Sequence, residues 1–568
     1  MTGPQLQALA DIAERTLRDY AGDISSKGTP GSSASAEALP KRLAEGKQIV
    51  HATLRSSGAL IATGSATGEL AAATQQAIQA ATSTLDAPTA QPVDTMVLNI
   101  AHTFVVAPHN EMGPHLTNRR RGVRGIVFQR NGSREIVPPT HMLARGTSFA
   151  NEFELYRKRH NLRHETFTNE VEISRFEAQQ VLIKLDPQAR AAAMFRGNDQ
   201  VPAAAVTQAS TRLLARRAGD WLASHVHHDG RVTYTWFPGR GEESEDNNMI
   251  RQWMASVCLV RWARFRGESE LHALSTKNIA YNLDHFYREE AGHGHIEYQG
   301  RADLGAMSLA ALAIHESAAR EQFSTQETGL RATIDSLWRD DGSFWTRYKP
   351  NRTTGGENYY PGETLLYWSA LYKESRDPER LARFMKSFRH YKKWHLNEAN
   401  RAPAFVPWHT QAYYQVWLIT HDDRLRDFIF TMNDWLVRNM QRWKNVPYAD
   451  AAGRFYNPAR SKWGSANASS TGVYIEGLAD AYALAKEVGD AQREERYRLS
   501  LARAIRSLLQ IQIVDEVDTF YMIRPERAIG GIRTSVYRDF IRVDNVQHNL
   551  MGLIKIQQRF QVADYKTD

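Results

Sequence analysis

The chain has 568 residues, more than one ordinary hydrophobic core accommodates, so two large domains are expected. Hydrophobic residues make up 42% of the chain and aromatic residues 10%, a composition that excludes disorder over most of its length. The formal charge of +8 favours an acidic partner, but the 71 basic and 63 acidic residues are mixed along the sequence, so this is only a mild bias.

The start of the chain and its cysteine content limit the compartment and the chemistry. Residues 1–20 are amphipathic, and no later segment approaches the roughly 18 to 20 apolar residues that a membrane span needs. The sequence therefore predicts a cytoplasmic protein without a membrane partner. The single cysteine, Cys258, excludes an internal disulfide and every multi-cysteine zinc site, and its apolar neighbours predict a buried core position.

The first 200 residues predict a small α/β domain with an Ala/Ser/Gly-rich, flexible start. Helices are expected at 6–20, 65–84 and 148–160, with a Gly- and Ser-rich loop at 26–33. Period-two apolar patterning predicts strands at 96–107 and 122–138. An Asn-Gly pair within 130–133 divides the second segment into a hairpin.

One segment of this region carries a family resemblance. The sequence IVPPTHMLARGTSFANEFELYRKRHNL at 136–162, followed by the strand-like EVEISRF at 170–176, resembles the AMMECR1-type domain. That family is a small α/β module with a poorly defined biochemical role. The resemblance implies a domain over residues 1–200 and no particular reaction.

From 205 to 560 the pattern is helical and paired. Inner helices are expected to begin near Asn247, Asp303, Tyr360, Trp408, Thr471 and Asp544. More charged outer helices are expected near Val206, Glu270, Gln326, Glu379, Arg424 and Gln492. The units are longer than the roughly 34 to 47 residues of common two-helix solenoids. The extra residues lie in segments such as 229–234, 341–345 and 453–456, which predict short turns and strands.

The two sets of helices differ in composition. Residues 303–316 and 476–490 are rich in Ala and Gly, which allows close backbone approach at the centre of a ring, whereas 425–440 is amphipathic. This arrangement resembles the (α/α)6 toroid, the six-hairpin fold of many glycoside hydrolases, polysaccharide lyases and sugar epimerases, including the C-terminal domain of glucuronyl C5-epimerase. The expected fold is mainly α, with an (α/α)6 toroid preceded by a smaller α/β domain.

Several predicted inner helices begin in similar segments, which are polar and marked by aromatic rings, at 359–363, 407–412, 470–477 and 542–548. We call these segments the helix entries. A ring would bring these entries to one mouth, where loops and helix starts build a site. Sugar chemistry needs a proton donor and an acceptor. The catalytic candidates are Glu363, Glu476, Asp544, His548 and Tyr360. Asp544 and His548 are four residues apart, so they share a helical face, and an Asp that orients a His is one way to transfer protons.

Other residues at the same entries are candidates for binding substrate. They are Asn248, Arg251, Trp408, His409 and Arg542, which offer hydrogen bonds, positive charge, a flat ring and an imidazole. Each candidate has a structural alternative. Glu363 and Asn248 are equally typical of helix caps, and a His–Asp pair on a helix is often a buried structural pair.

Histidines and arginines cluster in two further places. His225, His227, His228, Asp229, His293 and His295 lack the spacing of a catalytic zinc site and are expected to be exposed loop residues. We expect no metal and no cofactor. The basic run at 118–124 lacks interleaved aromatic residues, which favours a solvated loop over a nucleic-acid site.

Together these features predict a carbohydrate-active enzyme whose toroid binds an oligosaccharide or polysaccharide, with an acidic glycan favoured. Epimerisation, elimination and hydrolysis all remain open. The alternative is a non-catalytic protein that binds a glycan or peptide, or serves as a scaffold. A mouth filled by bulky side chains, or carboxylates all paired to Arg, would favour this alternative. The sequence does not indicate an oligomeric state.

Overall fold

The computed structural model describes residues 1–23, 48–85, 92–106, 116–185 and 188–568, and the loop expected at 26–33 lies outside them. A sheet domain precedes a ring of helices, which confirms the predicted class: mainly α, with a toroid behind a smaller α/β domain. None of the described helices is both long and apolar enough to cross a membrane. The boundary near residue 200 and the AMMECR1 resemblance stay predictions.

The sheet domain is built on seven antiparallel strands. They are β1 (Gln48–Ser56), β2 (Ala59–Gly68), β3 (Thr95–Val106), β4 (Arg124–Arg130), β5 (Ser133–Val137), β6 (Glu172–Lys184) and β7 (Arg190–Met194). The order is β2-β1-β3-β6-β4-β5, and β7 pairs with the second half of β6. The predicted β3 strand and the β4-β5 hairpin are present.

The helix predicted at 65–84 begins later than expected. Ala59–Gly68 is strand β2, which pairs with β1 through a turn at Ser57 and Gly58, both at positive φ. Helix α2 then runs from Leu70 to Thr82. The Ala- and Gly-rich composition of 59–68 hid a strand, because strand formation here depends on pairing with β1 rather than on local propensity.

The sheet is buried on both faces. Helices α1 (Gly3–Asp23) and α2 cover one face, where Leu98 and Ile183 point. The neighbouring residues Val97 and Leu182 point the other way and join the core of the ring. Because side chains alternate along a strand, one sheet packs against its own helices and against the toroid. Helices α3 (Pro139–Ala144), α4 (Phe149–Arg159) and α5 (His164–Glu170) complete the domain.

Twelve helices form the ring. The inner six are α7 (Met249–Arg266), α9 (Leu304–Glu316), α11 (Tyr360–Ser375), α13 (Phe405–Thr420), α15 (Ala468–Glu487) and α18 (Val543–Arg559). The outer six are α6 (Gln208–Ser224), α8 (Ser269–Phe286), α10 (Ser324–Ser336), α12 (Pro378–Leu396), α14 (Asp423–Met440) and α16 (Ala491–Leu509). Each inner helix packs on the next, and α18 packs on α7, which closes the ring. The short helix α17 (Glu516–Thr519) follows α16.

The segments predicted as turns and short strands, 229–234, 341–345 and 453–456, form turns with isolated β-bridges at Val232, Phe344 and Phe455, and the strands lie elsewhere in the connections into the inner helices. The strands are β8 (Thr235–Phe237), β9 (Glu242–Glu243), β10 (Tyr287–Glu290), β11 (His293–Ile296), β12 (Ala302–Asp303), β13 (Arg347–Lys349) and β14 (Ile541–Arg542). Gly230, Gly342 and Gly453 each adopt positive φ and lie against a carbonyl oxygen of an outer helix. A side chain at any of them would collide with backbone, so glycine is required there.

Small residues bring the inner helices close together, as their composition indicates. A Cβ on Gly477 of α15 would lie 2.6 Å from Cα of Pro407 in α13. A Cβ on Gly472 of the same helix would lie 2.7 Å from the backbone nitrogen of Asn549 in α18. The centre of the ring therefore has little room for added atoms.

Replacing Gly477 with Ala is expected to lower the free energy of unfolding by about 1 to 3 kcal/mol, because the new methyl group pushes α13 and α15 apart. Urea denaturation measures this change. The matched control is Gly3→Ala at the start of α1, where an added Cβ would meet none of the described residues within 4 Å. Equal stability of G477A and G3A would contradict the close packing of these two helices.

The basic run at 118–124 lies at the junction of the two domains, and only its start, Asn118 and Arg119, is as exposed as the solvated loop that the sequence predicts. Arg121 is only 5% exposed, and Arg120 bonds the Tyr448 hydroxyl. Arg196 donates to the carbonyl oxygens of Arg119 and Arg121, and it forms a buried 2.6 Å ion pair with Asp450 of the ring. The run therefore belongs to the interface between sheet and toroid.

Candidate active site

A cleft of about 440 Å³ opens where the inner helices begin. This size falls within the range of small-molecule sites. Eight of the ten predicted site residues line it: Asn248, Arg251, Tyr360, Glu363, Trp408, Arg542, Asp544 and His548. Seven of them come from the first turns of inner helices or the residues just before them, and His548 comes from the second turn of α18, which is the convergence that the repeated entries predict. Glu476 and His409 lie behind the wall of the cleft.

Glu363 lies in the first turn of α11 and is 1% exposed. Its Oε2 has no hydrogen-bond partner among the described residues. Burial raises the pKa of this carboxyl from its ordinary value to about 8. At neutral pH Glu363 is therefore mostly protonated. It lies against Gly305 of α9, and a Cβ at that position would overlap Oε2.

His548 is held by Glu476. The Nδ1 atom of His548 lies 2.7 Å from Oε1 of Glu476, which is fully buried on α15. The carboxylate accepts the Nδ1 proton and leaves Nε2 as the nitrogen available to the cleft. The structure thus pairs His548 with Glu476 and not with Asp544, because α15 and α18 are neighbours in the ring and Asp544 has other partners.

Asp544 lies between two arginines. Arg542 donates to both of its oxygens at 2.7 Å, and Arg251 of α7 donates to Oδ2 at 2.8 Å. Burial alone would raise the pKa of Asp544, but the charges and hydrogen bonds of Arg542 and Arg251 outweigh it and lower the pKa. Arg251 also bonds the Tyr234 hydroxyl at 3.0 Å. The trio is a fixed, ionised cluster at one side of the cleft.

Aromatic rings form much of the remaining wall. Trp408 of α13 makes an edge contact with His548 at 5.9 Å between ring centroids. Tyr360 is half-buried, and burial with the nearby Asp303 and Glu363 raises its pKa to about 12. Tyr360 is therefore a neutral hydroxyl at pH 7. Such rings suit the apolar face of a sugar while hydroxyls orient its polar edge.

Two predicted binding residues have clear structural positions. Asn248 caps α7 by accepting a hydrogen bond from the backbone nitrogen of Arg251, and it also lines the cleft. His409 is fully buried and stacks on Phe405 with 3.5 Å between ring centroids. Burial lowers the pKa of His409 to about 3, so it is a neutral core residue. His409 stays a predicted binding residue, but its buried position gives that prediction no support.

The cleft also contains residues that sequence reasoning missed. Lys462 and Trp463 reach it from the segment between α14 and α15, and Tyr474 reaches it from α15. The sequence around Lys462 and Trp463 has no hydrophobic periodicity that would predict where this segment lies. Tyr474 is different, because it stands in the same polar helix entry as Glu476 and that signal could have found it.

The other end of the ring holds a larger cavity of about 670 Å³, lined by the last turns of the inner helices. Most of its charges are paired: Arg261 binds Glu316 through two hydrogen bonds, while Lys555 and Arg559 bind Asp480. Lys555 also bonds the backbone oxygen of Glu476. We place the candidate site at the mouth, because Glu363 there is unpaired.

Two of the histidines expected in exposed loops are buried. His225 is 1% exposed and stacks on Trp221, and His295 is fully buried beside Glu297. Packing of the loops under the outer helices covers them. Within the part of the chain that the structure describes, no group of three His, Cys, Asp or Glu side chains could hold a metal ion. Cys258 is buried, as predicted.

Neither a protein-family model nor a curated protein matches the sequence. Solved structures with a similar chain path include the GH76A α-1,6-mannanase of Salegentibacter sp. HEL1_6, at 10% identity, covering 61% of this chain and 98% of the mannanase (TM-score 0.44). D-mannose isomerase is 10% identical over 62% of this chain and 97% of its own (0.46). An unsaturated glucuronyl hydrolase specific for heparin is 11% identical over 61% and 97% (0.44). Likeness at this level assigns no residue a role.

Proposed function

We propose that the protein is an enzyme that transforms an anionic glycan by proton transfer in the cleft. The observation that carries this proposal is that two complementary groups line one cavity. Glu363 is an unpaired carboxylic acid that keeps its proton at neutral pH, and His548 is an imidazole held by Glu476 with Nε2 available. A protonated carboxylic acid and an imidazole that face one cavity are the two kinds of group that general acid and base catalysis uses.

The charge of the cleft favours an anionic substrate. Arg251, Arg542 and Lys462 line it, whereas Asp544 is the lining carboxylate that ionises well below neutral pH. Glu363, the other lining acid, is mostly neutral at pH 7. The lining therefore carries an excess of positive charge, and guanidinium groups suit a carboxylate.

The arrangement supports proton abstraction next to a sugar carboxylate. Arg251 and Arg542 would neutralise the carboxylate, and Nε2 of His548 would take the proton from the adjacent carbon. Glu363 would then donate its proton either to the departing glycosidic oxygen, giving elimination, or to the opposite face of the same carbon, giving epimerisation. Each route moves one proton off the substrate and one onto it.

Hydrolysis fits the site less well. It would need a second carboxylate to attack the sugar or to activate water. Asp544 is the lining candidate, but both of its oxygens accept hydrogen bonds from arginine and its pKa is lowered, which makes it a weak base. Proton abstraction from a uronate is therefore the reaction class that we propose.

The open cleft and the unpaired Glu363 also favour an enzyme over a scaffold, whose mouth would be filled or whose carboxylates would all be paired. Of the two carboxyl groups that line the cleft, Asp544 alone is paired with arginine. A binding protein also has no need for a buried acid that stays unpaired, because burying an unsatisfied polar group destabilises the fold.

Incubation with uronic-acid and neutral oligosaccharides in deuterated water tests the proposal. Deuterium at C5 of a uronate indicates epimerisation, a new conjugated double bond absorbing in the ultraviolet indicates elimination, and new reducing ends without either indicate hydrolysis. We expect one of the first two on a uronate substrate. Products from neutral glycans alone, or no product from any member of the panel, would overturn it.

Arg251→Ala is expected to raise KM for the uronate substrate about tenfold, because one charge-assisted hydrogen bond to the carboxylate is lost. Asp544 would keep Arg542 as its partner, so the fold should persist. The matched control is Arg424→Ala, at the start of the outer helix α14, where the arginine is likewise paired with an Asp. Steady-state kinetics measure both variants, and an unchanged KM for R251A would place the carboxylate elsewhere.

A further inference from the structure

A third, smaller pocket of about 110 Å³ lies where the sheet domain meets the ring. Its lining includes four arginines from both domains, which are Arg121, Arg145, Arg240 and Arg538. The acidic side chain in the lining is Asp539. We call this cavity the arginine pocket. Its positive charge exceeds what one carboxylate can neutralise.

The arginines of this pocket have few partners. Arg121 is 5% exposed, yet its Nε has no hydrogen-bond partner among the described residues. Arg145 and Arg538 form no ion pair within that part of the chain, and Arg240 has one long contact, 3.4 Å from Glu242. A buried guanidinium with an unused donor is unfavourable unless something accepts its hydrogen bond.

Glycines keep this pocket open. A Cβ on Gly239 would overlap the carbonyl oxygen of Ala144 and lie 3.6 Å from Oδ2 of Asp539. Gly146 adopts positive φ, and a Cβ there would lie 3.7 Å from Oδ1 of the same carboxylate. A side chain at either position would lie against Asp539, the carboxylate of the pocket. Glycine at these two positions therefore leaves that part of the pocket free.

Three cavities with shared lining residues follow one another from the arginine pocket to the cleft, and we call this series the groove. An intermediate cavity of about 440 Å³ shares Phe237 and Phe540 with the arginine pocket, and it shares Asn248 and Arg542 with the cleft. One segment, 538–544, contributes to all three cavities. At roughly 3.3 Å per extended residue, the backbone positions of Asp539 and Asp544 lie within about 17 Å of each other.

We propose that the arginine pocket is a distal subsite that binds a carboxylate or sulfate group of the same glycan chain whose reacting sugar lies in the cleft. This inference rests on the proposed function and extends it: the substrate is a polyanionic chain several sugars long, not a single charged sugar. It also gives the sheet domain a part in recognition, since Arg121 and Arg145 belong to that domain. Bidentate donors such as guanidinium groups suit both anionic groups.

Single-stranded nucleic acid is the other polyanion that a basic groove can bind. It is disfavoured here because such sites present separate aromatic platforms on which successive bases stack. Two of the three rings of the intermediate cavity, Phe237 and Phe540, pack against each other at 6.1 Å between centroids, and the third, Tyr234, is held by Arg251 through its hydroxyl. Phe237 is also covered by the Arg240 guanidinium at 4.1 Å.

Calorimetric titration in an E363Q background tests the subsite by direct binding, without turnover. The probes are size-fractionated oligogalacturonates from the disaccharide upward and a neutral gluco-oligosaccharide series. We expect affinity for the oligogalacturonates to rise with length until the chain spans the groove. The double variant R145A/R240A changes two exposed side chains, so it should fold. It should lower affinity for the long oligogalacturonates about tenfold or more and leave the disaccharide unaffected.

The matched control is Arg389→Ala, an exposed arginine on the outer helix α12, which should bind every probe as the parent does. Equal affinity for short and long oligogalacturonates, or long-chain binding unchanged in R145A/R240A, would overturn the subsite. Tighter binding of a single-stranded oligonucleotide would also overturn it. If inorganic sulfate binds and is lost in R145A/R240A while chain length has no effect, the pocket takes a free anion instead. Length-dependent binding without turnover by the native protein would refute the proposed function but not the subsite.

Discussion

Glu363→Gln is expected to lower kcat/KM on the active glycan by about 100- to 10,000-fold, the usual contribution of a general acid. Glutamine has the shape of the protonated carboxyl but no proton to give. The exchange should leave the fold intact, since the acid is already mostly neutral at pH 7. Steady-state kinetics on the substrate found in the deuterium experiment measure the effect.

The matched control is Glu379→Gln. Glu379 also lies in the first turn of a helix, the outer helix α12, but it is exposed and pairs with Arg383 on the surface. The variant E379Q has the same chemical change at a residue outside the cleft, so its activity should equal that of the native protein. If both variants keep full turnover, Glu363 is a structural residue and the proposed acid is wrong.

The pH dependence of activity supplies a second readout. Glu363 holds its proton below about pH 8, so an acid-catalysed step should slow as pH rises through that value. Burial of the carboxyl is what raises its pKa. A variant that opens the cleft to water would therefore lower the pH at which the rate begins to fall.

Stability should respond to the same carboxyl. The folded pKa of Glu363 is about 8 against an ordinary value of 4.5, so the folded state holds a proton that the unfolded chain releases. Its contribution to stability is fully present below about pH 4.5 and is lost as pH rises through 8. The native protein should thus lose about 4 to 5 kcal/mol relative to E363Q between these limits. Parallel urea titrations of both proteins measure the difference.

The sequence predicted the ring well because the signals for its helices are local. Helix entries such as 359–363 and 542–548 repeat, and both do begin inner helices. Once the ring closes, the first turns of its inner helices must meet at one mouth. That geometric step places Glu363 and Asp544 in the same cleft, where both are found. The sheet was harder, because β1 and β2 depend on partners far along the chain.

The state of each carboxylate could not be predicted in the same way. Glu363, Glu476 and Asp544 look alike in sequence, since each stands near the start of an inner helix. As far as the described residues show, Glu363 has an unpartnered oxygen and no ion pair, Glu476 holds His548 through Oε1 while its Oε2 has no partner, and Asp544 is held by two arginines. These differences arise from neighbouring helices and loops, and no spacing within one helix encodes them.

The arrangement of Glu476 and His548 leads to the other large expected effect. Because Glu476 accepts the Nδ1 proton of His548, it fixes the ring orientation and stabilises positive charge that forms when Nε2 takes a proton. Glu476→Gln should therefore lower kcat by about 100- to 10,000-fold while KM changes little. The matched control is Glu487→Gln, an exposed glutamate at the end of the same helix.

A double-mutant cycle separates this positioning role from a structural one. If Glu476 acts only through His548, the variant H548Q loses the base outright, and adding E476Q to it should lower kcat no further. Independent roles would give losses that multiply. Asp544→Asn tests the pairing that the sequence favours. Suppose that adding D544N to H548Q lowers kcat no further, while the losses from E476Q and H548Q multiply. Asp544 would then be the residue that orients the base, contrary to the 2.7 Å contact between His548 and Glu476.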